Sequence, residues 1–170
     1  MRNLIQRLFV LGTAVAVLLA FYGPAEAILQ KGQPAPPFKV ASTSGQQITL
    51  NNYKGHVLLI DFFATWCTPC RDSIPHLIKM NQKYGKQGLQ ILGLSLDEDG
   101  EKTVREFIQT SRINYPVALA NDDCQTEYGL RSVPTLFVVS KKGVVMEKYM
   151  GFNEGMAKSM EQLIIKLLAE

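Results

Sequence analysis

From Val57 to Phe63 every residue is apolar except Asp61. A run of that kind predicts a strand buried on both faces, as in parallel or mixed sheets. Leu89 to Leu96 predicts a second buried strand. Between them a helix is expected from Pro69, with Ile74, Leu77, Ile78 and Met80 near helical spacing and an end at Tyr84-Gly85. Val104, Phe107 and Ile108 mark an amphipathic helix opening near Asp99-Gly100. Tyr115 to Leu119 predicts a short extended piece, and Asp123 to Tyr128 a brief helix. Thr135–Val139 and Val144–Met150 flank Lys141-Lys142-Gly143, a hairpin turn. Met156, Met160, Leu163, Ile164, Leu167 and Leu168 form the stripe of a closing helix, with Asn153 as its N-cap. Upstream, Phe38-Lys39-Val40 and Gln47–Leu50 predict a hairpin around Ser44-Gly45. Gln33-Pro34-Ala35-Pro36-Pro37 predicts a semi-rigid, non-helical stretch, so residues 28–37 read as a linker. Strands alternating with amphipathic helices imply an α/β fold, one domain over 38–170 with a central sheet covered on both faces.

The first 27 residues have a different grammar. Arg2 and Arg7 precede or open a charge-free run from Leu8 to Tyr22, which Pro24 and the small-x-small triplet Ala25-Glu26-Ala27 follow. Basic start, apolar middle and small-residue site make a secretory signal, or an uncleaved amino-terminal anchor, and the run is shorter than the roughly 20 residues of a spanning helix. The body is expected outside the cytoplasm, in the periplasm or at the outer face of a bacterial cytoplasmic membrane. Of 170 residues, 46% are hydrophobic and 19% charged, with 18 basic against 15 acidic side chains. That excludes disorder and a multi-span membrane protein, and a net charge of +3 lacks the basic footprint nucleic-acid binding needs. Three cysteines are too few for a disulfide scaffold, so their work is local.

Trp66-Cys67-Thr68-Pro69-Cys70 carries the chemistry. Two cysteines three apart, where a buried strand gives way to a helix, can close a small disulfide ring. The helix start offers unpaired N–H groups and a positive dipole end that stabilise a thiolate. Cys67 is therefore expected to be the acidic, exposed thiol and Cys70 the buried partner that swings back onto it. Pro69 lies in the first turn, where a missing N–H costs little. The competing zinc reading needs four ligands at paired spacing, and only Cys124, His56 and His76 remain. No metal or other cofactor is expected. Asp61, alone in its apolar run, should have a raised pKa unless backbone hydrogen bonds satisfy it. Cys124 reads as a packed free cysteine beside Asp122 and Asp123, whose charges disfavour its thiolate. Asp97-Glu98-Asp99-Gly100-Glu101 does not have the glycine and glutamate positions of a calcium loop and reads as a solvated turn. His56 and His76 are assigned no role, and Met156 and Met160 belong to the core stripe.

With these residues in place, the chain resembles the thioredoxin superfamily, and more narrowly extracytoplasmic thiol–disulfide oxidoreductases of the TlpA/ResA type. The likeness rests on the stretch from Asp61 to Cys70, on Tyr128-Gly129-Leu130-Arg131-Ser132-Val133-Pro134-Thr135, and on Gly151 before the last helix. It implies a thioredoxin-like fold with an amino-terminal hairpin (38–50) and a central strand-helix insertion (97–119). It implies a redox-active Cys67–Cys70 disulfide, with Thr68 and Pro69 shaping the ring and Asp61 accepting the Cys70 proton. From the residues alone Pro134 is a trans proline opening a strand; the resemblance implies instead a cis-proline facing the cysteines. Trp66, Val133 and Pro134 would then line the contact with substrate. Two departures stand out: Ser73 occupies the place of an acid usual in ResA-like proteins, with Asp72 pointing elsewhere, and Gly93 stands near the place of a lysine that accompanies the buried Asp in many thioredoxins.

The expectation is therefore dithiol–disulfide exchange by a monomer. Its partners would be exported proteins bearing disulfides, apo-cytochrome c thiols among them, and a membrane thiol-reductant transporter as electron donor. Direction depends on potentials that sequence does not encode. A peroxiredoxin-like peroxidase is the second reading, although Ala64 stands where its active-site threonine would be. A metallochaperone or docking module is the third, with one residue fewer between the cysteines than the copper proteins of related fold use.

Overall fold

The computed structural model describes residues 29–170, so the signal or anchor segment of residues 1–27 lies outside the described residues. Seven strands and four α-helices follow in chain order: β1 Lys39–Ala41, β2 Gln47–Thr49, β3 Val57–Phe63, α1 Thr68–Tyr84, β4 Leu89–Ser95, α2 Glu101–Ser111, β5 Val117–Leu119, α3 Asp122–Glu127, β6 Thr135–Val139, β7 Val145–Met150 and α4 Glu154–Leu168. The main sheet is five-stranded in the order β5-β4-β3-β6-β7. β3, β4 and β5 run parallel, whereas β6 and β7 are antiparallel to their neighbours. This is the mixed α/β sheet expected.

Every residue of β3 is buried, which is why it reads as a continuous apolar run and not as an alternation. Its side chains still divide by parity. Val57, Leu59 and Phe63 face α1 and α4, packing with Cys67, Cys70, Leu77, Met160 and Ile164. Leu58, Ile60 and Phe62 face the opposite cluster, with Phe38, Cys124, Tyr128 and Phe137. Asp61 has the parity of Leu59 and Phe63, so its carboxyl belongs to the face that carries the cysteine-bearing helix.

Each edge strand is met along part of its length by a segment from elsewhere in the chain, which shortens the exposed edge. The β1–β2 hairpin forms its own small sheet and leans on β5, with Ser42 bridging Ala118 and the Thr43 N–H donating to Val117 O at 3.0 Å. At the other edge the stretch read as a linker is docked: Pro34 bridges Val144, the Gly32 N–H donates to Val145 O at 2.8 Å, and the Ala35 N–H donates to Gly143 O at 2.8 Å. Leu29 and Ala35 are buried there. The proline run is non-helical, as expected, and it lies against the edge instead of standing off as a tether. Asn153 caps α4, accepting from the Met156 N–H at 2.9 Å.

Candidate active site

The cysteines sit where β3 ends and α1 begins. Cys67 is the helix N-cap, with extended backbone, and its Sγ accepts the Cys70 N–H at 3.2 Å. A sulfur thus takes the place of the oxygen that usually satisfies an orphan N–H at this position. The pair forms a disulfide with Sγ–Sγ 2.10 Å and Cα–Cα 5.3 Å. Thr68 and Pro69 are the first two helical residues, and proline there forfeits no intrahelical bond. Cys70 is fully buried; Cys67 is only 5% exposed, so the outer sulfur is less open than the sequence suggested. The surface beside it is Trp66, 66% exposed and the most open large apolar side chain among the described residues.

The peptide just before this pair is clamped on both sides. Ser95 lies opposite Phe63 in the β3–β4 register, so the residues that follow each strand meet two positions on. There Asp97 accepts from the Thr65 N–H at 2.9 Å, the Thr65 hydroxyl at 2.5 Å and the Ser95 hydroxyl at 2.6 Å. Arg71 donates from Nε and Nη2 to Thr65 O at 3.0 and 2.8 Å. Asp97 is buried. That corrects the expectation of a solvated turn from 97 onward: its first residue faces inward because the adjacent loop supplies its donors. The only signal in the sequence was position, directly after a parallel strand at the carboxyl edge where α/β sites form.

Asp61 is fully buried and neither carboxylate oxygen has a hydrogen-bond partner, so the backbone-satisfied alternative does not hold. Burial pushes its pKa from 3.8 up to about 7. Gly93 lies directly opposite it in β4, where the sequence placed the missing lysine. Ser73 is buried and its hydroxyl donates to Cys70 O at 2.8 Å, so it serves the helix backbone; Asp72 is exposed.

The Val133–Pro134 bond is cis, as the resemblance implied. Val133 is half-buried and packs against the cluster that holds both cysteines. Its loop is held by the Gly151 N–H donating to Pro134 O at 2.8 Å and the Thr135 hydroxyl donating to Ser132 O at 2.7 Å. Cys124 stands apart in the opposite core cluster, and burial, not the neighbouring aspartates, pushes its thiol up to about 12. The His76 ring packs on Phe152 at 5.2 Å, and His56 is exposed.

Comparison with known proteins agrees with this geometry. The sequence profile of the AhpC/TSA family matches residues 31–148. The chain is 32% identical over 142 residues to the thioredoxin-like protein YneN of Bacillus subtilis, spanning 83% of this chain and 82% of that one. It is 30% identical over 162 residues to the thiol-disulfide oxidoreductase ResA of Bacillus cereus, spanning 94% and 92%. Among solved structures, a proposed thiol:disulfide interchange protein DsbE of Chlorobium tepidum superposes with a TM-score of 0.78 at 30% identity, covering 82% of this chain and 99% of the other. A buried strand delivering a sulfur-capped dithiol, inside a frame shared over most of its length with such enzymes, places this chain in the thioredoxin-like AhpC/TSA family as a thiol–disulfide oxidoreductase.

Proposed function

We propose that the protein reduces disulfides in exported proteins, with Cys67 as nucleophile and Cys70 as resolving thiol. The Cys67 thiolate attacks one sulfur of a substrate disulfide, forming a mixed disulfide and expelling the other substrate sulfur as a thiolate that takes a proton from solvent. Cys70 then gives its proton to the Asp61 carboxylate and attacks Cys67 Sγ. The second substrate thiolate leaves, and the Cys67–Cys70 disulfide remains. Two electrons have passed from the dithiol to the substrate. A membrane thiol-reductant transporter resets the pair. Trp66, Val133 and Pro134 form the docking surface, where backbone at Val133 pairs with an extended substrate segment. The reading places the protein, as a monomer, in the periplasm or at the outer face of the membrane, with the disulfide form of apo-cytochrome c among its substrates.

The observation that carries this reading is the asymmetry of the pair: one sulfur at the helix N-cap beside an exposed tryptophan, the other fully buried on the face that holds an acid poised near neutrality. The peroxidase alternative gains nothing here, since Ala64 is buried and offers no hydroxyl to a peroxide. The test is turnover of a protein disulfide by the reduced enzyme. Cys67→Ser should abolish it, and Cys70→Ser should stall it as a covalent adduct through Cys67. An adduct through Cys70 on the Cys67→Ser protein, with none on Cys70→Ser, would overturn the assignment.

A further inference from the structure

Among the described residues, three buried side-chain atoms have no hydrogen-bond partner: both carboxylate oxygens of Asp61 and the hydroxyl of Tyr115. The sheet brings them to one place. Asp61 lies opposite Gly93 in β4, and Gly93 lies opposite Val117 in β5. Tyr115 lies in the bend just before β5 and packs in the same core cluster as Val117. Glycine at 93 leaves the middle position without a side chain, and Val117, Phe63 and the Tyr115 ring close over it. A Cβ on Gly93 would stand 3.4 Å from Tyr115 Cε2, 3.2 Å from Phe63 Cε1 and 3.1 Å from Val117 Cγ2. A ring above Gly93 is one strand spacing, about 4.8 Å, from the line of Asp61.

We propose that Tyr115 is the positioning residue for the buried acid: its hydroxyl donates to the Asp61 carboxylate through one bridging water, and sets the pH at which Asp61 can receive a proton. The role stands on geometry, since buried polar groups without partners are costly and the orphaned groups of Asp61 and Tyr115 flank the same side-chain-free position at Gly93. Burial, and then the charge of Asp61, hold the Tyr115 hydroxyl well above its ordinary value, so it stays a donor wherever Asp61 titrates. The other elements around Asp61 bring no competing charge. In the cluster on that face, β4 presents Gly93, β6 presents Leu136 and Val138, α4 presents Met160 and Ile164, α2 presents Val104, β7 presents the neutral Tyr149, and α1 presents Leu77, Met80, the neutral Tyr84 and the cysteines, joined as a disulfide in the oxidised protein. The lysine that the sequence lacks near Gly93 is thus replaced by a neutral donor from the bend that leads into β5.

This inference rests on the reading of Asp61 as proton acceptor only for its catalytic consequence, and the test separates the two. In the full-length oxidised protein, carbon-13 resonances report the Asp61 carboxyl and the Tyr115 ring carbon bearing oxygen. The Tyr115 resonance should inflect at the Asp61 midpoint, and Asp61→Asn should abolish that inflection. Tyr115→Phe, which keeps the ring, should raise the Asp61 midpoint by about one pH unit, roughly tenfold in the ionisation constant. A Tyr115 resonance flat through the Asp61 titration overturns the proposal whether or not the variant folds. An Asp61 midpoint unmoved in a folded Tyr115→Phe protein overturns it as well. In the reduced enzyme, the pH profile of the Cys70-dependent step should follow the same shift. If the resonances couple but that profile ignores Asp61, the acceptor role falls and the Tyr115–Asp61 contact stands.

Discussion

Asp61→Asn should change how the stability of this protein depends on pH, and the size of the effect follows from the structure. The carboxyl lies in a strand buried at every position and has no hydrogen-bond partner. Burial raises its pKa from 3.8 to about 7. At pH values below 3.8 the group is protonated in both the folded and the unfolded chain, and contributes nothing. As pH rises past 3.8 the unfolded chain ionises while the folded one keeps its proton, so unfolding becomes progressively easier. The loss levels off once the folded carboxyl ionises too, near pH 7. At 1.36 kcal/mol per pH unit, wild type should lose roughly 4 kcal/mol relative to the variant between pH 4 and pH 8. That is about a quarter or more of the stability of a typical domain, about 5–15 kcal/mol. Urea denaturation of the oxidised proteins, followed by circular dichroism at intervals across this range, measures it. The buried amide of the variant adds a cost of its own, but one independent of pH, so the difference curve isolates the carboxyl. A wild type whose stability tracks that of Asp61→Asn in parallel from pH 4 to pH 8 would refute the reasoning.

Asp97→Ala should cost about 3 kcal/mol, because it strands two donors on Thr65 and one on Ser95 around a buried site. Asp97→Asn should recover part of the loss, and the reduction potential of the cysteine pair should move in Asp97→Ala as the Thr65 peptide loosens; an unchanged potential would separate this clamp from the redox site. Tyr128→Ala should destabilise by about 3–5 kcal/mol in the same denaturation assay, since a fully buried ring against Phe62 and Phe137 is lost together with its hydrogen bond to Pro36 O.

Local patterning made most of the architecture legible. β3 announced itself by seven buried residues in a row, α4 by its stripe and its Asn153 cap, and β6–β7 by two apolar runs around Lys141-Lys142-Gly143. The cysteine pair and Pro134 were legible because their chemistry is compressed into short motifs. What escaped depends on register between segments far apart in the chain. Thr65 and Asp97 meet only because Phe63 is aligned with Ser95, and Tyr115 packs over the strand position opposite Asp61 only because Gly93 has no side chain there. Nothing in a charged run such as Asp97 to Glu101 distinguishes the one carboxyl that turns inward. The docking of residues 32–35 against 143–145 escaped for the same reason, since proline content forbids a helix without saying which edge the chain will cover.

The account stands or falls on the inequality of the two sulfurs. Alkylation of the reduced protein across pH, with each modified cysteine located by mass spectrometry, measures it directly. Cys67 should react first, with a midpoint well below the roughly 8.5 of an unperturbed cysteine, while Cys70 stays protected in the folded chain. Equal reactivity of the two, or a Cys67 midpoint at the unperturbed value, would contradict it.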